Sequence, residues 1–409
     1  MLSKILSVYS LLLAIGILLI GNGLLGTALA VHASMEAFPD TVTGIIMSAF
    51  FLGYVIGSYL CPRLISEVGH IRAFSVFAAF GTVSVLCHGL LVNPVAWWLL
   101  RVISGICIVG LYLVVESWLN VLIPRTDRGR IFSIYVMVNL LALGGGQYVI
   151  LVYGAGELAT YVLCAVFFVL ALVPIAITRI PQPAGLQPPK LIVRRLMTIS
   201  PLGLIGALVT GLGNGAFWGL GPLYAHNLGY SETDIALFMS AIIFGGAVLQ
   251  VPIGHQSDRF DRRKVLIFVC LFASLSATGM FMFADISRLA LMASAILYGG
   301  FSFAVYSLSV AHTNDHIEPG EIMDATTGLL LLNGIGAAIG PIVAGTLMQL
   351  AGNETLMIYF AVIFFLLSLF AFIRCGISAP VPVEEQSDFV ALSRTGAAAV
   401  VMDPRVESS

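Results

Sequence analysis

Charge is scarce in this chain: 19 Lys and Arg and 21 Asp and Glu among 409 residues, against 59% hydrophobic residues and a mean hydropathy of +1.01. That leaves too little polar surface to coat a soluble globule, so a soluble enzyme or binding module is excluded and a polytopic membrane protein is indicated. Paired cysteines are missing too. Cys61, Cys87, Cys107, Cys164, Cys270 and Cys375 are scattered with no C-x-x-C spacing, which excludes a zinc knuckle or redox pair and leaves them as small apolar residues. There is no G-x-x-x-x-G-K-[ST] loop, no G-x-S-x-G elbow and no H-E-x-x-H helix, so neither ATP hydrolysis nor clustered hydrolytic chemistry is expected and no cofactor is required.

Long apolar stretches take the place of these features. A spanning helix needs about 20 apolar residues. Twelve such runs occur, at 9–31, 41–62, 72–92, 96–121, 131–152, 158–179, 201–225, 233–253, 265–284, 288–312, 326–350 and 355–375. Their length predicts an all-α membrane protein and excludes a barrel. The first run lacks a small-residue cleavage site and reads as a retained helix. Basic residues select the orientation, because Lys and Arg stay on the cytoplasmic side. Lys4, Arg63, Arg72, Arg125, Arg128, Arg130, Arg179, Lys190, Arg194, Arg195, Arg259, Arg262, Arg263, Lys264 and Arg374 all fall on one side, and Arg101 and Arg288 do not. Both termini are therefore expected in the cytoplasm, with the chain in the cytoplasmic (inner) membrane.

The chain also repeats itself. Gly21-Asn22-Gly23 returns as Gly213-Asn214-Gly215 and Met47-Ser48-Ala49 as Met239-Ser240-Ala241, while Tyr112, Asn120, Asn139 and Gly146 return as Tyr306, Asn314, Asn333 and Gly340. Two pseudo-symmetric six-helix halves follow, 1–179 and 201–375, in parallel repeat. The connector 180–200 holds four prolines and then a basic segment, which fits either a helix on the membrane surface or a solvated linker. The polar tail 376–409 is expected to be disordered.

One charged decapeptide, Gly254-His255-Gln256-Ser257-Asp258-Arg259-Phe260-Asp261-Arg262-Arg263, interrupts the apolar pattern between two runs and must be an aqueous loop. It resembles the loop signature of the major facilitator superfamily, G-x-L-a-D-R-x-G-R-R, matching at Gly254, Asp258, Arg259, Arg262 and Arg263 and departing at Gln256 and Asp261. The first-half copy is degraded, keeping Leu64, Gly69 and Arg72. In the fourth run Arg101, Ser104, Gly105 and Cys107 resemble the family's R-x-x-q-G-x-g. The runs Glu116-Ser117-Trp118-Leu119-Asn120 and Asn314-Asp315-His316 resemble its YcaD-type branch. The drug-antiporter bend G-x-x-x-G-P stands in helix eleven, Gly336 to Pro341, and not in helix five, which weighs against drug antiport.

The resemblance implies two halves that rock around a central site lined by helices one, four, seven and ten. On those helices and on helix eleven, Asn22, Tyr112, Asn214, Trp218, Tyr306 and Asn333 are the candidate substrate-binding residues. Arg101 is the only Lys or Arg within a predicted span, and it shares a helical stripe with Gly105, Ile108, Tyr112 and Glu116. Arg101 and Glu116 stand roughly 22 Å apart along the axis, and both are candidate coupling residues. Glu116 has a structural alternative, a fixed ion pair with Arg125 or Arg128. Asp258, Arg259, Arg262, Arg263, Arg125, Arg128, Arg130, Asp315 and Asp324 are candidate gate residues, with Asp258 expected on the start of helix five when the mouth is shut and Asp324 capping helix eleven. His312 and His316 have metal-compatible spacing, but helix capping by the acids around them is the preferred reading, and no metal is expected.

The reading is a monomeric secondary transporter for a small solute, proton-coupled and working by alternating access, with lipid, substrate and protons as partners and no nucleic acid. A drug or metabolite efflux antiporter is the nearest alternative. A membrane enzyme or sensor on the same fold is the alternative of another class, disfavoured by the lack of a catalytic cluster.

Overall fold

The computed structural model describes residues 2–123, 127–178, 183, 193–318, 321–377, 379–387 and 389–390. They form α1 (Leu2–Met35), α2 (Asp40–Val68), α3 (His70–Leu90), α4 (Pro94–Leu122), α5 (Arg128–Gln147), α6 (Leu158–Leu170), α7 (Leu172–Ile177), α8 (Val193–Ile199), α9 (Pro201–Asn227), α10 (Glu232–Ser257), α11 (Arg262–Phe283), α12 (Arg288–Asn314), α13 (Ile322–Ala351) and α14 (Thr355–Ile377). Twelve spans result, with α6 and α7 together making the sixth. The break within that span falls at Ala171, three residues before Pro174, whose ring removes the N–H that would bond to residue 170.

Backbone polarity explains why only helices occur among the described spans. Hydrocarbon offers no partner to a free N–H or C=O, and a helix satisfies both internally. Loops are short, and polar side chains at the surfaces cap four of the described helices, α4, α10, α11 and α12. Asn93 accepts from Val95 and Ala96 at the start of α4, and Ser231 and Ser287 do the same for α10 and α12. The two copies of the signature loop turn in different ways. Gly69 sits at φ +84°, a left-handed conformation that favours glycine. Asp261, where the signature has glycine, keeps φ at −53° and caps α11 by accepting from the Arg263 N–H at 3.0 Å.

Within the halves α2 packs on α4, α9 on α13, and α11 on α12 and α14; α2 against α13 and α5 against α10 join one half to the other. The first and last described residues, Leu2 and Val390, lie on one side, called here the terminal side, and the opposite surface is the far side. The described contacts between halves run from the far surface to the middle. Ser34 donates to Asn227 at 3.0 Å, the Thr41 N–H to Gln349 at 3.2 Å, the Ala155 N–H to Glu232 at 2.8 Å, and Ser240 to the Gly144 carbonyl at 3.0 Å. Gly44 and Gly345 bring α2 and α13 into backbone contact. A Cβ on Gly44 would stand 2.2 Å from the Pro341 oxygen, and one on Gly345 would stand 2.5 Å from the Asp40 oxygen.

Composition predicts disorder from Ser378 onward, but residues 379–387 and 389–390 run back along the terminal side. Asp315 accepts from the Ser387 N–H at 3.0 Å and from its hydroxyl at 2.9 Å; Asp258 accepts from the Phe389 N–H at 2.9 Å. The Phe389 ring covers Gly254, where a Cβ would meet it at 2.2 Å. For these described residues a charged loop supplies the backbone partners that their own composition lacks.

Candidate functional site

Between the halves lies a cavity of about 140 Å³. All six residues proposed for substrate binding line it: Asn22, Tyr112, Asn214, Trp218, Tyr306 and Asn333. The repeat explains how the two amides get there. In the first half Gly21 presses on Phe167 of α6 and Gly23 on the Leu143 carbonyl of α5; in the second, Gly213 presses on Phe364 of α14 and Gly215 on the Ala337 carbonyl of α13. The glycines let neighbouring helices close on two sides. The amide between each pair is left facing the cavity. Asn333 differs, since its amide donates to the Ala207 carbonyl at 3.0 Å and so also ties α13 to α9.

Arg101 also lines the cavity and is 5% exposed. Its guanidinium carbon stands 4.6 Å from the centre of the Phe50 ring, and its Nε has no hydrogen-bond partner. It is the only charged side chain among the described lining residues. Beside it on α4, Gly105 lets α2 approach until a Cβ there would lie 2.0 Å from the Phe50 oxygen. Glu116 lies elsewhere. It is fully buried, off the cavity wall, with Tyr135 of α5 donating to its Oε1 at 2.8 Å.

Aromatic residues complete the wall in ways the spacing of polar residues does not flag. Phe50, Phe51, Tyr54 and Tyr59 come from α2, and Phe303 of α12 stacks on Trp218 with ring centres 6.5 Å apart. Their signal is an i, i+4 aromatic pair, Phe50 and Tyr54, on the helix face turned to α4. Thr27 donates to Gln147, which in turn donates to the Leu143 carbonyl at 3.0 Å, and Gln250 donates to Ser307 at 2.9 Å.

The proposed gate residues do not form one cluster. Arg262 is buried; its Nη1 donates to both oxygens of Asp315 at 2.8 Å, its Nη2 to Asp258 at 3.1 Å and to the Ser387 carbonyl at 2.6 Å, and its Nε to Ser257 at 3.0 Å. Asp258, expected on helix five, thus bonds to its own loop and the tail. Arg263 pairs with Asp261 at 2.8 Å, while Arg259 and Arg130 are exposed. Arg125 and the side chain of Arg128 lie outside the described residues. Asp324 does not cap α13. The helix begins one turn earlier, at Ile322, so Asp324 falls inside the first turn, where its charge still suits the positive helix end. Glu321 pairs instead with Arg195 of α8. His316 spends Nδ1 on the His312 carbonyl at 2.8 Å and Arg262 occupies Asp315, so the metal-compatible spacing is already used.

Burial pushes the Asp261 carboxyl upward, but hydrogen bonds from Arg263 and the charges of Arg263 and Lys264 outweigh it and hold the group below its ordinary value. A depressed carboxyl contributes stability above its unfolded-state pKa and loses it as pH falls through the folded value. The melting-temperature gap between wild type and Asp261→Asn is therefore expected to be open at neutral pH and to close in acid, below the ordinary Asp range of ~4. A gap that stays constant over that titration contradicts the assignment.

Two helical bundles around a central cavity, the second carrying a charged signature loop between α10 and α11, are the architecture of one class of membrane transporter. The chain belongs to the major facilitator superfamily, whose family model matches residues 11–198 and 203–401. It is 27% identical over 380 residues to an uncharacterised MFS-type transporter of Enterobacter sp. (strain 638), covering 91% of this chain and 97% of that one. To the MFS-type transporter YcaD of Salmonella typhimurium it is 26% identical over 381 residues, with the same coverage, 91% and 97%. Among solved structures, an aspartate-to-alanine mutant of the nucleoside transporter NupG superposes with a TM-score of 0.77 at 14% identity, covering 89% of this chain and 100% of that one. The human organic anion transporter MFSD10 gives 0.63 at 16% identity, covering 90% and 99%.

Proposed function

We propose that this protein is a secondary active transporter that carries a small solute across the cytoplasmic membrane by alternating access, as a monomer with both termini in the cytoplasm. The observation that carries this reading is the cavity between the halves, bounded by the described inter-half contacts from the far surface to the middle. On this reading the structure is the inward-facing state, the terminal side is the cytoplasm, and the basic loops on that side support the orientation. Asn22, Tyr112, Asn214, Trp218, Tyr306 and Asn333 contact the solute. Asp258, Arg259, Arg262, Arg263, Asp315 and Asp324 on one lip and Arg125, Arg128 and Arg130 on the other meet when the mouth closes. Glu116 exchanges the coupling proton.

The far-side seam provides the test. Valine at Gly44 places a side chain where the Pro341 carbonyl now sits, which penalises only states in which α2 and α13 touch there. Gly44→Val is expected to raise the labelling of single cysteines on the far side and lower it on the terminal side, with the variant still monodisperse in detergent. A correctly folded variant with wild-type labelling on both sides removes alternating access across this seam.

A further inference from the structure

Each half contributes an amide to the cavity, but only the first half contributes a charge. Among the described residues no carboxylate or histidine lines the cavity, and no acidic side chain pairs with Arg101. A guanidinium is always charged. Held in a membrane protein without a countercharge, it is costly. Phe50 offers one flat face for it to lie over, a cation–π contact that offsets part of the cost. Its Nε–H has no partner, and the guanidinium presents its N–H donors in a planar fork, a geometry that matches an oxyacid group in two-pronged fashion.

Position adds to the argument. Arg101 is the eighth residue of α4, about 10 Å from the far end of the helix, so it stands toward the closed end of the cavity. Aromatic side chains from both halves, Phe51, Tyr54, Trp218 and Phe303, flank the approach to it, and Asn22 and Asn214 add paired polar groups. A protein with a structural Arg here would be expected to pair it with an Asp or Glu on α1, α2 or α5. The wall holds amides and hydroxyls in those places.

We infer that Arg101 is the anchor of an anion site and that the transported solute is an organic anion, its carboxylate, sulfonate or phosphonate group on the guanidinium and its body against the aromatic wall. This rests on the transport reading and narrows it to a substrate class. It also moves Arg101 from coupling to substrate binding, since a group that stays protonated exchanges no proton. The solute brings the missing countercharge, so binding is favourable only for a ligand of negative charge.

Quenching of Trp218 fluorescence tests the site without a known substrate, because Trp218 lines the same cavity and is partly exposed there. Iodide, caesium and neutral acrylamide are titrated into the purified protein at constant ionic strength, and the Trp218 component is isolated by difference from Trp218→Phe. A cavity with one fixed positive charge concentrates anions. With each ion's quenching normalised to that of free tryptophan amide, iodide is expected to quench Trp218 about threefold more strongly than caesium, Arg101→Gln to abolish that preference, and Arg101→Lys to retain most of it. Equal quenching by iodide and caesium overturns the anion site, as does a preference that survives Arg101→Gln in a variant with wild-type acrylamide access. Failure of acrylamide to reach Trp218 in the wild type overturns the open cavity itself. Failure of the transport reading looks different: iodide preference intact, with labelling unmoved by Gly44→Val.

Discussion

Arg262→Ala is expected to destabilise the protein by about 3–5 kcal/mol, the cost of leaving one partner of a buried ion pair alone. Arg262 and the Asp315 side chain are each 2% exposed, and the ion pair between them is the innermost part of a network that also holds Asp258, Ser257 and the Ser387 carbonyl. Removing the guanidinium leaves Asp315 with the two donors of Ser387 as its remaining described partners. A single ammonium cannot reach Asp315, Asp258, Ser257 and the Ser387 carbonyl as three guanidinium nitrogens do, so Arg262→Lys is expected to recover less than half of the loss. Pairing Arg262→Gln with Asp315→Asn should cost less than the two single changes summed, because the double variant strands no charge. Unfolding of the detergent-solubilised protein measures all three. The same loss should release the tail, so a cysteine at position 389 becomes reactive in the Arg262→Ala background. A stable variant with a protected residue 389 shows that the network neither holds the loop nor seats the tail.

Glu116→Gln is expected to abolish gradient-driven accumulation while leaving exchange intact. Glutamine keeps the size of the side chain and still accepts from Tyr135, whose hydroxyl reaches Glu116 at 2.8 Å, but it has no proton to give up. A gradient of one pH unit is worth 1.36 kcal/mol per proton, which supports about tenfold accumulation at one proton per solute. The variant should therefore fall from about tenfold to no accumulation in proteoliposomes, with counterflow in the absence of a gradient near the wild-type rate. Retention of both activities removes Glu116 from coupling. Loss of both in a folded protein assigns it to the packing of α4 on α5.

Much of this architecture is readable from residue types because the membrane permits few solutions. Twelve apolar runs had to be helices, and the repeat of Gly-Asn-Gly had to place two equivalent amides. Arg101 stood out because a lone charge in hydrocarbon is expensive. What escaped notice lacks such a cost. Phe50, Tyr54 and Phe303 are ordinary membrane residues by composition, and only packing decides that they face a cavity instead of lipid. Helix ends are hidden for a related reason: α13 starts four residues before its apolar run, since the charge of Asp324 interrupts the apolar pattern while a helix accepts an acid in its first turn. Composition says nothing of the partners that place Ser387 and Phe389, because those partners, Asp315 and Asp258, lie far away in the sequence.

The solitary charge of Arg101 also bears on how the working cycle responds to voltage. With a monovalent anion on the guanidinium the loaded cavity is neutral, so reorienting it moves no charge through the field. The empty cavity carries one positive charge, and a full traverse of 100 mV by one charge is worth about 2.3 kcal/mol. Because the first half alone supplies that charge, with no acidic residue among the described lining residues to cancel it, the balance rests on Glu116, buried in the same half and off the cavity wall. On the proposed coupling Glu116 travels deprotonated with the empty carrier and offsets Arg101, so membrane potential acts on the empty return only where that carboxylate is lost, as in Glu116→Gln.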